Sequence, residues 1–152
     1  MAGMDITTLD DDWRRVSAAL ALTLSGMPAE AHLLINASGG RFARFFVDSP
    51  QLWCEIVHND QLDENFRMSD RFETELREQG WCPPIEGSWD TWHLLVGWPV
   101  HYDVYEKAAG QVVAVLHRGL RVGAPSELDI DSWIVDSDEE FPTNALSDAI
   151  GN

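Results

Sequence analysis

Residues 80–99, which read GWCPPIEGSWDTWHLLVGWP, decide how this chain is organised. They hold four of its seven tryptophans, Trp81, Trp89, Trp92 and Trp98, between glycines and prolines that free or fix the backbone. One buried indole removes roughly 150–250 Å² from water. So many rings in one short stretch indicate either the centre of a core or an aromatic binding surface. We interpret the stretch as a core-forming junction between a sheet and its helices, with a partly exposed rim.

The elements on either side of this stretch follow from capping and breaking signals. Ser69 is a good N-cap for a short second helix that ends at Gly80, and Pro83-Pro84 then forces an extended exit. Residues 88–96 alternate as a fourth strand. A third helix is predicted over residues 100–118, closed by Gly119.

The preceding part of the chain predicts one helix and a meander. Apolar residues recur at helical spacing over residues 10–25, and three short strands follow at residues 32–36, 41–48 and 51–58. A last edge strand is predicted at 128–135. The fold class is therefore α+β in a single domain, with three helices packed on an antiparallel sheet of a three-strand meander plus one or two further strands. The element order is α-β-β-β-α-β-α-(β).

The third strand predicts a sheet with two different faces. Leu52, Cys54 and Ile56 share one side, which is core, whereas Trp53, Glu55 and Val57 share the other. This second side is amphipathic, and either the first helix or a partner covers it.

The chain carries a large excess of negative charge. The net charge is −16, and residues 122–152 hold eight acidic side chains and no basic one. Nucleic acids and anionic membranes require Lys and Arg, so we expect neither as a partner. We expect a domain over residues 1–135 and an acidic, mobile tail over 136–152. Asp5 and Asp10–Asp12 stand where a signal peptide would be basic and apolar, which favours a cytoplasmic protein.

No pattern of catalytic or metal-binding residues is present. The five histidines form no HExxH pair, and the two cysteines, Cys54 and Cys82, form no CxxC pair. We therefore predict no catalytic residue, no metal and no cofactor. The least favoured alternative is an enzyme with a metal held by His93 and His101, together with Asp90 or Asp103.

The motifs around residue 80 carry a family resemblance. The aromatic strand RFARFFVD at 41–48, the capped helix that ends in Leu76-x-x-x-Gly80-Trp81-x-x-Pro84, and the tryptophan-containing strand before a long helix are similar to the type III secretion chaperone-like fold. Within that fold they resemble the YbjN-related and actinobacterial TY-Chap domains, over roughly residues 8–135. The resemblance implies an α+β module, sometimes dimeric, that holds another polypeptide without catalysis.

Two functions from different classes remain open. The first is a chaperone-like or adaptor domain whose partner is a basic, secreted or effector polypeptide, with a homodimer as a further option. Tryptophan is enriched at binding hot spots, so its candidate contacts are Trp53, Trp92, Trp98 and Phe46, unless these rings are core. The second is an acidic inhibitor or immunity protein that blocks a basic enzyme, for which Glu127, Asp129 and Asp131 are the candidate residues.

Overall fold

The computed structural model describes residues 9–151 and has the predicted α+β class. Residues 1–8 and 152, and with them Asp5, lie outside the described residues. The helices and strands follow one another as α1 (Asp11–Ser25), β1 (Ala31–Asn36), β2 (Phe42–Asp48), β3 (Gln51–Val57), α2 (Asp70–Glu78), β4 (Thr91–Gly97), α3 (Tyr102–Ala114), β5 (Asp129–Ile134) and α4 (Asn144–Ile150).

All five strands join one antiparallel sheet in the order β4-β3-β2-β1-β5. The meander β1-β2-β3 and the edge strand near residue 130 are both as predicted. The Ser38–Gly40 turn between β1 and β2 takes positive φ at Gly39 and Gly40, 76° and 83°, which other residues rarely adopt. In this strand order, β4 and β5 form the two edges of the sheet.

N-terminal capping side chains fix where α1 and α2 begin. The side chain of Asp10 accepts a hydrogen bond from the Trp13 amide at 3.1 Å, and that of Ser69 accepts one from Phe72 at 3.1 Å. Each cap satisfies an amide that the first turn of a helix leaves unpaired. Both helices therefore begin where the sequence predicts.

The tryptophan-rich stretch ties the sheet to two helices. The Trp81 amide donates to the carbonyl of Leu76 at the end of α2, and its indole Nε1 donates to the Oε1 of Gln111 on α3 at 3.1 Å. At the end of α3 the chain continues into one π-helical turn, Val115–Gly119. A Cβ on Gly119 would lie only 2.6 Å from the ring of Phe72, so α2 approaches this turn closely.

The C-terminal region differs from the expected tail. Instead of three helices, residues 9–151 form four, and α4 packs against α1 with its apolar residues Leu146 and Ile150 buried. Phe141 is buried as well. From Phe141 onward the segment expected to be a mobile tail therefore contributes buried side chains to the core. The domain boundary at residue 135 stays a prediction.

Candidate functional site

The two faces of the sheet have opposite environments. The inward residues of β1, β2 and β3 are at most 1% exposed. All four helices contribute buried side chains to the same cluster, so they lie on this inner face. Within residues 9–151 no helix covers the outer face, and most of its side chains are half-buried or exposed. Val57, Thr91 and His93 on this face are buried. Of the two options for the second side of β3, cover by α1 is therefore wrong.

An aromatic row crosses the outer face from one edge of the sheet to the other. The strand register places His32 opposite both Trp133 and Phe46, Phe46 opposite Trp53, and Trp53 opposite Leu95. The His32 ring stacks on Phe46 at 4.2 Å and on Trp133 at 4.7 Å between centroids. We call these five residues the aromatic row; they join into one apolar surface.

Trp89 extends this surface from the loop before β4. Its ring stacks on Trp53 at 4.7 Å and on His93 at 4.2 Å. Two isolated bridges shape the loop: Cys82 pairs with His93, and Ile85 pairs with Trp89. The loop thereby folds Trp89 onto the outer face instead of into the core.

A charged pair sits beside the aromatic row and is internally satisfied. Arg44 donates two hydrogen bonds to Glu55, 2.7 Å from Nη2 and 3.2 Å from Nε, and Thr91 Oγ1 donates to the same carboxylate at 2.8 Å. The bond to Glu55 raises the pKa of Arg44 above its ordinary value. This bidentate pair therefore contributes little net charge at the centre of the face.

Two polar atoms within the aromatic row lack a hydrogen bond. His32 Nδ1 and Trp53 Nε1 are buried by the neighbouring rings and have no partner in the described part of the chain. Burial, and then the nearby charge of Arg44, lower the pKa of His32 below 6.5, against the smaller opposing effects of Glu30 and Glu55. His32 is thus held in its neutral form more strongly than a free histidine.

Acidic side chains border the aromatic row at the β5 edge. Asp129 and Asp131 are exposed and lie on the same face of β5 as Trp133. Glu127 lies just before β5, where its Oε2 accepts a hydrogen bond from the Ala124 amide at 2.8 Å. Of the three predicted acids, Asp129 and Asp131 are therefore the two that border the outer face.

Two of the predicted aromatic contacts lie elsewhere. Trp92 is fully buried, 0% exposed, because its side chain points to the inner face. The prediction that it touches a partner is wrong for this fold. Trp98 packs against the core cluster, and its Nε1 donates to the Met27 carbonyl at 3.2 Å. The structure thus brings together Phe46 and Trp53, but neither Trp92 nor Trp98 joins them.

Sequence reasoning missed four members of this surface, namely His32, Trp89, Leu95 and Trp133. For His32 and Trp133 a usable sequence signal exists. The alternation in His32-Leu33-Leu34-Ile35 and in Asp129-Ile130-Asp131-Ser132-Trp133 puts both residues on outer positions of their strands. Alternation alone does not say which strands are neighbours, so the continuous row could not be assembled.

The described residues show neither a metal-binding group nor a membrane-spanning helix. Between residues 9 and 151 no three His, Cys, Asp or Glu side chains are grouped so that they could hold a metal ion. His93 is buried under Trp89, and His101 is exposed at the start of α3. In the same range, no helix combines the length and apolar composition needed to cross a bilayer.

Comparison with known proteins identifies a family. No curated protein and no solved structure matches this chain. One family matches over residues 7–134, TY-Chap3, described as "T3SS (YopN, CesT) and YbjN peptide-binding chaperone 3". This range contains all five strands and the whole aromatic row. The chain therefore belongs to this TY-Chap family of peptide-binding chaperones.

Proposed function

We propose that this protein is a non-enzymatic chaperone-like or adaptor domain that holds a segment of a polypeptide partner on the outer face of its sheet. The observation that carries the proposal is the aromatic row, which crosses all five strands with no helix above it within residues 9–151. Large uncovered apolar surfaces on folded proteins mark interaction sites.

The two ends of the row offer the most surface to a partner. Trp133 is 40% exposed and Leu95 is 42% exposed, whereas the rings between them cover one another. Rigid aromatic side chains lose little conformational entropy on binding, which is why they are frequent in hot spots. A partner segment that spans the sheet would contact Trp133, Phe46, Trp53 and Leu95 in turn.

The charge of the border favours a partner segment with basic residues. Asp129 and Asp131 lie beside Trp133, and the protein as a whole carries −16. Such a field accelerates the approach of a basic segment and repels acidic surfaces. Apolar residues for the row and Lys or Arg for its border are therefore the composition that we expect in the partner.

Selection of random peptides on the full chain tests the proposal. Trp53→Ala and Trp133→Ala should each weaken the binding of the enriched peptides by about tenfold or more, as loss of a hot-spot residue does. The matched control is Leu22→Ala, because Leu22 is 55% exposed but lies on α1, away from the outer face. Equal binding by all three variants and the wild type would contradict the proposal.

The acidic side chains at the β5 edge support a second candidate function, that of an inhibitor or immunity protein. Asp129 and Asp131 are exposed carboxylates, and within residues 9–151 no cationic side chain lies within ion-pair distance of them, so they can face a basic enzyme. Under this alternative, Asp129→Asn with Asp131→Asn should slow association at low salt and leave peptide binding by the aromatic row intact. An association rate unaffected by the double substitution would count against it.

A further inference from the structure

Strand β4 has an open edge over its last residues. His93 exchanges both of its backbone hydrogen bonds with Cys82, at 2.9 and 3.0 Å, so its N–H and C=O point away from β3. In an antiparallel sheet this direction alternates along the strand. The N–H and C=O groups of Leu95 and Gly97 therefore also point outward, and no backbone group among residues 9–151 pairs with them.

The chain itself turns away from this edge. A strand that continued backward from Cys82 would place Gly80 beside Leu95, but Gly80 has φ of 97° and bonds to Arg77 at the end of α2. On the other side, Pro83 and Pro84 have no N–H to donate. The open edge is thus a consequence of the Gly-Trp-Cys-Pro-Pro sequence.

A groove of about 300 Å³ lies between this edge and α3. Its apolar walls come from Leu94 and Val96 on β4 and from Val104 and Ala108 on α3. Gln111 also lines it and is held in place by the bond from Trp81 Nε1. An added strand on β4 would direct every second side chain toward these walls.

The groove also holds the single lysine of this chain, Lys107. Lys107 is the only charged residue that lines it, and within the described residues no carboxylate lies within ion-pair distance of its Nζ. In a protein with a net charge of −16, an unpaired ammonium beside a groove is a specific place for one carboxylate.

We infer that the edge of β4 and this groove bind an extended peptide segment as an added strand, with one acidic side chain on Lys107. Leu95 and Gly97 supply the main-chain hydrogen bonds, the apolar walls receive an aliphatic side chain, and Lys107 selects the carboxylate. The inference rests on the proposed function, because it assigns a second contact to the same polypeptide partner. A second copy of this chain fits less well, since two such charges repel.

The test uses the full chain and a fluorescent peptide chosen from the random selection described above. Lys107→Glu should lower the affinity for the peptide by about tenfold. Exchanging the acidic residue of the peptide for lysine should restore binding to that variant. Lys107→Arg keeps the charge and should retain most of the binding. The charge control is Arg15→Glu, because Arg15 is exposed on α1.

Hydrogen exchange reports on the edge independently of the charge. The amides of Leu95 and Gly97 should exchange rapidly in the free protein and slow by about tenfold or more in the complex. Methylation of alternate peptide nitrogens should block binding in one register and be tolerated in the other, since only every second N–H of an added strand faces β4.

The outcomes separate this inference from the proposed function. If Trp53→Ala abolishes binding while Lys107→Glu and Arg15→Glu behave alike, the groove inference is wrong and the proposed function stands. If Lys107→Glu weakens binding and Leu95 and Gly97 become protected while Trp53→Ala has no effect, the outer face is wrong as the place where the peptide is held, and the inference about the β4 edge stands. If no peptide is enriched, both are wrong.

Discussion

The indole ring of Trp89 lies 4.7 Å from that of Trp53, with 23° between the ring planes. Trp89 belongs to the loop before β4 and Trp53 to β3, so this contact joins the tryptophan-rich stretch to the outer face of the sheet. Trp81 and Trp92 of the same stretch are buried on the other side. One stretch therefore supplies both the core and the candidate binding surface.

This division predicts opposite effects of two tryptophan substitutions. Trp92→Ala should lower the free energy of unfolding by about 3–5 kcal/mol, because it opens a cavity in the core. Trp53→Ala should cost about 1–2 kcal/mol, since it removes a half-buried ring and one stacked partner, yet it should reduce peptide binding most. Urea unfolding measures the stability of both variants. A Trp53→Ala variant as unstable as Trp92→Ala would show that Trp53 is core.

Much of the fold could be predicted from the sequence because its signals are local. The helical spacing of apolar residues in α1, the N-cap Ser69, the breaks at Gly80 and Pro83, and the alternation in β3 each act within a few residues. The partnership of β1 with β5 is a contact between distant parts of the chain. Local alternation does not encode it, and the position of Trp133 beside His32 depends on it.

The missed fourth helix has a different cause. Leu146, Ala149 and Ile150 follow helical spacing, but α4 is only seven residues long and stands after the acidic run Asp136–Glu140. The acidic composition of this region therefore predicts a tail more strongly than the short apolar periodicity predicts a helix. Its stability comes from packing on α1, which is typical of helices too short to form alone.

The C-terminal helix should accordingly be needed for stability. Leu146→Ala should lower the free energy of unfolding by about 2–5 kcal/mol, because Leu146 is fully buried. The matched substitution of the exposed Leu22 should change it by no more than about 0.5 kcal/mol. Thermal or urea unfolding measures the free energy of unfolding of both variants. A Leu146→Ala protein as stable as the wild type would favour a tail that does not pack.

The two thiols should differ strongly in reactivity. Cys54 is fully buried, and burial raises its pKa to about 12, so almost none of it is thiolate at neutral pH. Cys82 is exposed. Because the thiolate is the nucleophile, an aromatic disulfide reagent should titrate one thiol in the native protein and both after unfolding. Cys82→Ser should abolish the native reaction, and fast native labelling in that variant would contradict the burial of Cys54.

His32 should make stability fall in mild acid. Its pKa in the folded protein lies below the ordinary 6.5, mainly because of burial, so the unfolded chain binds a proton first as the pH falls below 6.5. The stability that neutral His32 contributes at higher pH is therefore lost toward the lower folded pKa. His32→Phe keeps the stacked ring without titrating. Urea unfolding at about pH 7.5 and pH 5 should show a smaller loss for this variant, and equal losses would contradict the assignment.

The most direct test of the outer face as the binding surface uses the seven indole Nε1–H groups as reporters in NMR spectra. On titration with a selected peptide, the signals of Trp53, Trp89 and Trp133 should move. Those of the buried Trp13, Trp81 and Trp92, and of Trp98 bonded to Met27, should stay in place. A peptide that binds while the three outer-face signals remain unchanged would contradict the proposed function.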